Sequence, residues 1–531
     1  MPEPSTADHT QSPPQLDIAR DYNAAWDLLQ RNLLAGRGDK LAFIDDRGSY
    51  TYAQVDSLSS AFANGLRDRG LQMEQRIVLC LHDSIDFPVA FLGAIKAGVV
   101  PIAVNTLLTA DDYKYMLDDS RARLALVSAP LRDMFEELVC GSPHCRGLLV
   151  SGADDNDPAS MSALLAAASP ECEIAPTTAD DMCFWLYSSG STGVPKGTVH
   201  KHSSLIQTAE LYARPTLRID ENDVVFSAAK LFFAYGLGNG LSFPMSVGAT
   251  AILMAERPSP EAVFARLRQY QPTIFCGVPT LYASLLASPA LPQKHEMALR
   301  ICTSAGEPLP EQLARQWSDH VGVEVLDGIG STEMLHIFLS NRPGRLRYGT
   351  TGVAVPGYEL RIVDEAGNTI EAVDEVGELQ VAGPSSALFY WNNREKSLDT
   401  FQGRWVRSGD KYSRDADGFY IYAGRSDDML KVGGIYVSPI EIEAVLIEHP
   451  AVLEVAVVGQ KGDDELVKPA AYVVLKDAEA ETDGLAEDLK QHVKNRLAPY
   501  KYPRWVVFVD ALPKTATGKI QRFKLRSVQH P

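Results

Sequence analysis

Apolar residues fall along this chain in short runs that alternate with longer mixed stretches. Ala24 to Leu34 reads as a helix and Leu41 to Asp45 as a short strand. Helix-like segments at Tyr52 to Arg69, Ile85 to Ala97 and Ala110 to Leu117 then alternate with strand-like Ile77 to Leu81, Val99 to Val104 and Leu124 to Val127. Such alternation predicts a parallel sheet covered by helices. Asp154 to Pro158 reads as a linker or loop, after which the pattern restarts. Strand Phe184 to Tyr187 is followed by a helix from Ser203 to Ala213. Further strands follow at Val224 to Phe226, Ala249 to Met254, Thr273 to Phe275, Arg300 to Thr303 and Val323 to Leu326. This second series is similar in size to the first, without a fixed-period repeat.

From Gly357 to Tyr422 the segments shorten and alternate with turn residues, as in a small β-rich unit. Past Gly424 come a helix at Pro439 to Glu448, strands at Val452 to Val458 and Ala470 to Leu475, a helix at Leu485 to Leu497 and a strand at Trp505 to Val509. The expected fold class is therefore α/β. Residues 16–426 would form a large N-terminal body of two β-α subdomains plus the small β-rich unit. Residues 427–531 would form a smaller mobile α+β domain of about 105 residues, a size that can fold alone. Residues 1–15, polar and proline-rich, are expected to be a disordered tail and not a signal or transit peptide.

Composition narrows the class of partner. At 531 residues, 45% hydrophobic and 22% charged, the chain reads as globular and soluble, with no run approaching the ~20 apolar residues of a membrane span. Seven scattered cysteines without C-x-x-C pairs point to a reducing, cytoplasmic setting and away from a disulfide frame or zinc site. A net charge of -18 argues against nucleic acid as a partner, because phosphate backbones reward basic faces. Lys490 to Pro531 nevertheless holds ten Lys or Arg against the single acid Asp510. A basic end on an acidic body suits an anionic ligand, and equally a solvated charged segment. The oligomeric state, a homodimer included, is not legible.

The stretch Tyr187 to His200 carries the chemistry. Ser188, Ser189, Ser191 and Thr192 supply hydroxyls, Gly190, Gly193 and Gly197 let backbone N–H groups converge on an anion, and Lys196 adds a point charge. Placed between a strand and a helix, this loop is built to grip phosphates. It is not a Walker loop: glycine follows the lysine, where a Mg²⁺-binding hydroxyl would stand.

The stretch resembles the signature loop of the adenylate-forming superfamily, which includes acyl-CoA synthetases, luciferases and amino-acid adenylation domains. Three more motifs follow in the order that family shows. In Asp327-Gly328-Ile329-Gly330-Ser331-Thr332-Glu333, which directly follows a strand, the resemblance implies that Thr332 touches phosphate and Glu333 holds Mg²⁺. Gly306, Glu307, Asp327, Gly328 and Ile329 would line the nucleotide, Asp410 would accept from the ribose hydroxyls, and Arg425 would serve ribose or α-phosphate. Asp427 matches the family hinge. Gly433 and Gly434 would border the tunnel for CoA, although an ordinary hairpin turn explains them too. Lys519, in Pro513 to Lys519, matches the lysine that meets the reacting carboxylate and α-phosphate.

Lys230 to Gly240 is rich in aromatics and glycine. Amino-acid adenylation domains place an amine-pairing aspartate after the matching aromatic, and this chain has Ala234 there, which implies a substrate without an α-amino group. Together with Ser304 to Glu307 and Thr332 to His336, the stretch looks like benzoate-CoA ligases. The resemblance implies a flat pocket of Ala234, Tyr235, Gly236, Ala305, Gly306, Gly328, Ile329, Gly330 and His336 for an aryl carboxylate, although His336 would serve equally as a core histidine. The expected activity is ATP- and Mg²⁺-dependent formation of an acyl-adenylate, then of a CoA thioester as the C-terminal domain pivots at Asp427. Loading of a carrier protein, use of hydroxy- or aminobenzoates, and a non-catalytic nucleotide sensor are the competing readings.

Overall fold

The computed structural model describes residues 3–188, 195–426, 428–432, 435–461, 467–477, 483–497, 501–514 and 520–526. The chain divides into two compact units, Met1–Leu360 with Val381–Arg407, and Arg361–Gln380 with Ser408–Pro531. The first unit carries two sheets. One runs in the order Phe389–Tyr390, Lys196–Lys201, Met182–Ser188, Val100–Ala103, Arg76–Cys80, Leu124–Ser128, Leu148–Ser151. The five strands from Met182–Ser188 onward are mutually parallel, and the two before them pair antiparallel. The expected β-α alternation is thus present, with an antiparallel edge that the pattern did not reveal.

The other sheet runs Val353–Ala354, Ile337–Ser340, Val325–Gly330, Ile301–Ser304, Ile274–Gly277, Val224–Ser227, Thr250–Ile252, Leu41–Asp45, Gly48–Thr51. Leu41–Asp45 pairs parallel with Thr250–Ile252, so a strand from the first β-α series completes the second sheet. Alternation along the chain specifies element type and leaves neighbour order open. Val325–Gly330, Ile301–Ser304 and Ile274–Gly277 are adjacent and parallel. Their carboxyl ends therefore open on one edge, the side on which such sheets hold ligands. A core of Phe226, Phe275, Tyr282, Trp317 and their aliphatic neighbours is buried against this sheet.

The N-terminus departs from the expected disordered tail. Thr6–Asp8 pairs antiparallel with Gln15–Asp17. Ser5 Oγ donates to Asp27 Oδ2 at 2.6 Å, and His9 Nε2 lies 2.6 Å from Glu210 Oε2. The physical reason is Asp27: a fully buried carboxylate on helix Ala24–Leu34 needs partners, and Ser5, Tyr22 and Arg31 supply them.

In the second unit, residues 410–414 of strand Trp405–Arg414 pair antiparallel with Tyr420–Arg425, beside helix Pro439–Ile447 and the sheet Val452–Lys461, Val467–Leu475, Trp505–Phe508. Residues 361–380 and 408–426, expected with the body, group here, because the long hairpin ties 408–414 to 420–425. Among the described residues no helix is long and apolar enough to cross a membrane.

Candidate active site

The strands on either side of the glycine-rich stretch form a β-hairpin. Met182–Ser188 pairs antiparallel with Lys196–Lys201, which sets Ser188 opposite Lys196. The expected strand-loop-helix therefore becomes strand-loop-strand, with helix Ser203–Thr208 beginning only after the second strand and continuing as a π-helix, Ala209–Leu217. β-Branched Thr198 and Val199, both buried, favour the extended backbone. Phe389–Tyr390 adds a third strand, and the N–H groups of Leu388 and Trp391 donate to the carbonyls of Val199 and Gly197. Ser189, Gly190, Ser191, Thr192 and Gly193 lie outside the described residues.

Asp327, Gly328, Ile329 and Gly330 sit within strand Val325–Gly330 itself, against Ile337–Ser340, so the expected loop starts only at Ser331. The turn that follows delivers Thr332 and Glu333 to the hairpin. His200 Nε2 donates to the Thr332 carbonyl at 2.8 Å, Ala387 N donates to the Glu333 carbonyl at 2.8 Å, and Tyr390 OH donates to Glu333 Oε1 at 2.7 Å. Ser188 Oγ reaches the same Oε1 at 3.5 Å. Lys196 Nζ lies 4.5 Å from the centre of the Tyr390 ring. Burial pushes the His200 imidazole down to about 4, so it is neutral at pH 7 and its Nε2 carries the proton. Burial and the Glu333 charge push the Tyr390 phenol up, keeping it a donor.

The aromatic-glycine stretch forms a short helix, Ala234–Leu237, that passes into a π-helix, Gly238–Ser242. Tyr235 OH meets Thr303 Oγ1 at 2.5 Å, and the Tyr235 carbonyl accepts from His336 Nε2 at 3.3 Å. His336 is buried, with ring centroids 5.6 Å from Tyr235, 5.2 Å from Tyr212 and 4.4 Å from Phe243. Burial pushes it down to about 3, so this wall is uncharged. The glycines are there for space: a Cβ on Gly236 would stand 2.0 Å from the Lys230 carbonyl oxygen, and one on Gly238 2.4 Å from His336 Cδ2. A Cβ on Gly330 would stand 2.5 Å from the His336 carbonyl oxygen. Ala305, Gly306 and Glu307 leave strand Ile301–Ser304 beside Asp327, and Gly306 has φ +94. The Asp327 carboxyl is buried and pushed well up, and its Oδ1 has no hydrogen-bond partner among the described residues.

In the second unit Asp410 and Arg425 are cross-strand partners, and Arg425 Nη1 donates to the buried Asp410 carboxylate at 3.1 Å. Asp427, Gly433, Gly434 and Lys519 lie outside the described residues. Asp428, next in the chain, is ion-paired with Arg526 and lies 3.7 Å from Arg522.

A family model described as AMP-binding enzyme matches residues 30–391, and one described as AMP-binding enzyme C-terminal domain matches residues 441–519. The chain belongs to the AMP-binding enzyme family. It is 62% identical over 524 residues to a benzoate–CoA ligase of Thauera aromatica, covering 98% of this chain and 99% of that one. It is 48% identical over 515 residues to a 4-hydroxybenzoate–CoA/benzoate–CoA ligase of Rhodopseudomonas palustris, covering 96% and 94%. Among solved structures, a benzoate CoA ligase of Burkholderia xenovorans LB400 superposes with TM-score 0.89 at 56% identity, covering 95% of this chain and all, 100%, of the other. An anthranilate CoA ligase in complex with anthranoyl-AMP superposes with TM-score 0.91 at 41% identity, covering 96% and 98%. The adenylate-forming resemblance and the α/β class with a large body and a small C-terminal domain are thereby confirmed.

Tyr390, His200, Tyr212 and Phe243 join the candidate site of this AMP-binding enzyme without being singled out by the sequence pattern. His200 stands inside the motif stretch, and what marks it is its buried place in strand Lys196–Lys201. Tyr390 and Tyr212 reach the site through long-range pairing that no local pattern carries. As a metal site, Glu333 fits: among the described residues both hydrogen bonds to its carboxylate fall on Oε1, so a hard cation could take an oxygen from Oε2.

Proposed function

We propose that this enzyme activates benzoate with ATP, forming benzoyl-AMP and pyrophosphate, and then transfers the benzoyl group to CoA, releasing AMP. The observation that carries the reading is the uncharged aromatic wall of Tyr235, Tyr212, Phe243 and neutral His336, with Ala234 where an amine-binding domain has aspartate. A planar ring without an amine suits such a wall. The names of the Thauera and Burkholderia relatives support the same substrate.

In the adenylation step, the loop from Ser188 to Gly193 and Lys196 would hold the departing phosphates. Glu333 would hold Mg²⁺, which when bound neutralises phosphate charge, and Thr332 would touch phosphate. Asp327, whose buried Oδ1 has no hydrogen-bond partner among the described residues, would accept from the adenine amino group, and Gly306, Glu307, Gly328 and Ile329 would flank the base. Asp410 and Arg425 would take the ribose side, and Lys519 would meet the carboxylate oxygens as charge develops. A turn at Asp427 would then withdraw Lys519 and present Gly433 and Gly434 to CoA, whose sulfur attacks the adenylate carbonyl.

Ring-hydroxylated benzoates are a second reading. His336 Nδ1 is a buried acceptor without a hydrogen-bond partner among the described residues, and the Rhodopseudomonas relative is named for 4-hydroxybenzoate as well as benzoate. A pyrophosphate-release panel of benzoate, hydroxy- and aminobenzoates, cinnamates and fatty acids tests both. Turnover highest with fatty acids, or independent of acid, would refute them.

A further inference from the structure

Tyr390 belongs to none of the sequence motifs, yet three interactions converge on it. Its hydroxyl donates to Glu333 Oε1 at 2.7 Å, its ring lies 4.5 Å from Lys196 Nζ, and its backbone pairs with Thr198 on the strand that leaves the glycine loop. The side chain is buried, and Phe401 packs on it with ring centroids 5.2 Å apart, so its plane is fixed. A purely space-filling ring here would be met by phenylalanine, since a buried hydroxyl is costly unless it has a partner. The group it donates to is the Glu333 carboxylate, on the turn after strand Val325–Gly330, while Thr400 also hydrogen-bonds the phenol oxygen.

We infer that Tyr390 is a positioning residue for adenylation: its hydroxyl holds Glu333 by one oxygen and leaves the other for Mg²⁺, while its ring steadies the Lys196 ammonium for the ATP phosphates. The inference rests on the proposed function. Hydrogen bonds that orient a ligating carboxylate are worth about 10- to 100-fold in metal affinity. A cation held over an aromatic face is worth roughly two- to thirty-fold in binding.

Tyr390→Phe deletes only the hydroxyl and Tyr390→Leu deletes hydroxyl and ring, so the two roles separate. In the full-length protein, Mn²⁺ affinity is read by electron paramagnetic resonance with α,β-methylene-ATP bound, and metal-free nucleotide affinity by calorimetry in EDTA. Tyr390→Phe is expected to weaken Mn²⁺ by about tenfold or more while nucleotide affinity in EDTA stays within about twofold of wild type. Tyr390→Leu is expected to weaken both. An unchanged Mn²⁺ affinity in Tyr390→Phe overturns the inference and leaves the proposed function standing. Parallel losses in both measurements for the two variants overturn it as well. Wild type that binds no nucleotide overturns both. If Tyr390→Leu does not fold, Tyr390→Phe alone decides, because it keeps the ring that packs on Phe401.

Discussion

His200 Nε2 lies 2.8 Å from the carbonyl oxygen of Thr332, joining the strand after the glycine-rich stretch to the turn that bears Glu333. Since burial keeps His200 neutral, this is an ordinary N–H···O bond whose donor is always in place at physiological pH. The same carbonyl also accepts from Leu335 N–H at 3.1 Å, so removing the histidine takes one of two hydrogen bonds from the turn, a cost of about 0.5–1.5 kcal/mol. We expect His200→Ala to lower benzoate-dependent pyrophosphate release roughly tenfold, with a smaller rise in KM for ATP. A variant with full kcat would show that the link does not position the Thr332–Glu333 turn.

The glycines around His336 make a prediction about substrate fit. A Cβ at position 238 would stand 2.4 Å from His336 Cδ2. Overpacking of this kind costs about 1–3 kcal/mol. Gly238→Ala should raise KM for benzoate while KM for ATP stays constant. Gly330→Ala should be worse for folding, because its Cβ would meet backbone, 2.5 Å from the His336 carbonyl oxygen. Urea unfolding and paired KM measurements check both, and equal effects on the two substrates would count against the assigned wall.

Asp83 supplies a signed pH dependence. It is buried, accepts from Leu231 N at 3.2 Å at the head of the aromatic-glycine stretch, and faces the ammonium of Lys230. Burial raises it to about 6, above its value in the unfolded chain, and the Lys230 charge and the Leu231 bond only partly offset this. A raised carboxyl contributes most below the unfolded value, near ~3.9, and loses that contribution as pH rises through about 6. Relative to wild type, Asp83→Asn should therefore gain about 2 kcal/mol of stability between pH 4 and pH 7.5. Denaturant midpoints at the two pH values measure it, and a shift in the opposite direction would mean that Asp83 stays ionised.

Much of this was legible in the sequence. Helix Ala24–Leu34 and strand Leu41–Asp45 lie where the pattern puts them, and the site motifs announce themselves through glycine, hydroxyl and carboxylate at fixed spacing. What stayed hidden depends on partners distant in the chain. Lys196–Lys201 is a strand because Phe389–Tyr390 and Met182–Ser188 flank it, and a run of Lys-Gly-Thr-Val-His-Lys scarcely advertises that. The hairpin at Thr6–Asp8 exists because Asp27 is buried and must be satisfied, a demand that only tertiary structure creates. Tyr390 is an aromatic after a turn until Glu333 is brought to it.

Lys519 makes a prediction about the two half-reactions. Lys519→Ala should cripple pyrophosphate release from benzoate and ATP, yet form benzoyl-CoA from supplied benzoyl-AMP and CoA at close to the wild-type rate. Rapid-quench assays of each half measure this. Equal losses in both would argue against a cation needed for the first step alone.

The central claim is that one enzyme joins benzoate to CoA through an adenylate. Its most direct test is rapid-quench analysis with ¹⁸O-carboxylate benzoate, ATP, and CoA first withheld and then added. The account predicts that enzyme-bound benzoyl-AMP and pyrophosphate form before CoA is present, and that one ¹⁸O appears in AMP for each benzoyl-CoA released. Formation of ADP, or AMP without ¹⁸O, would contradict it.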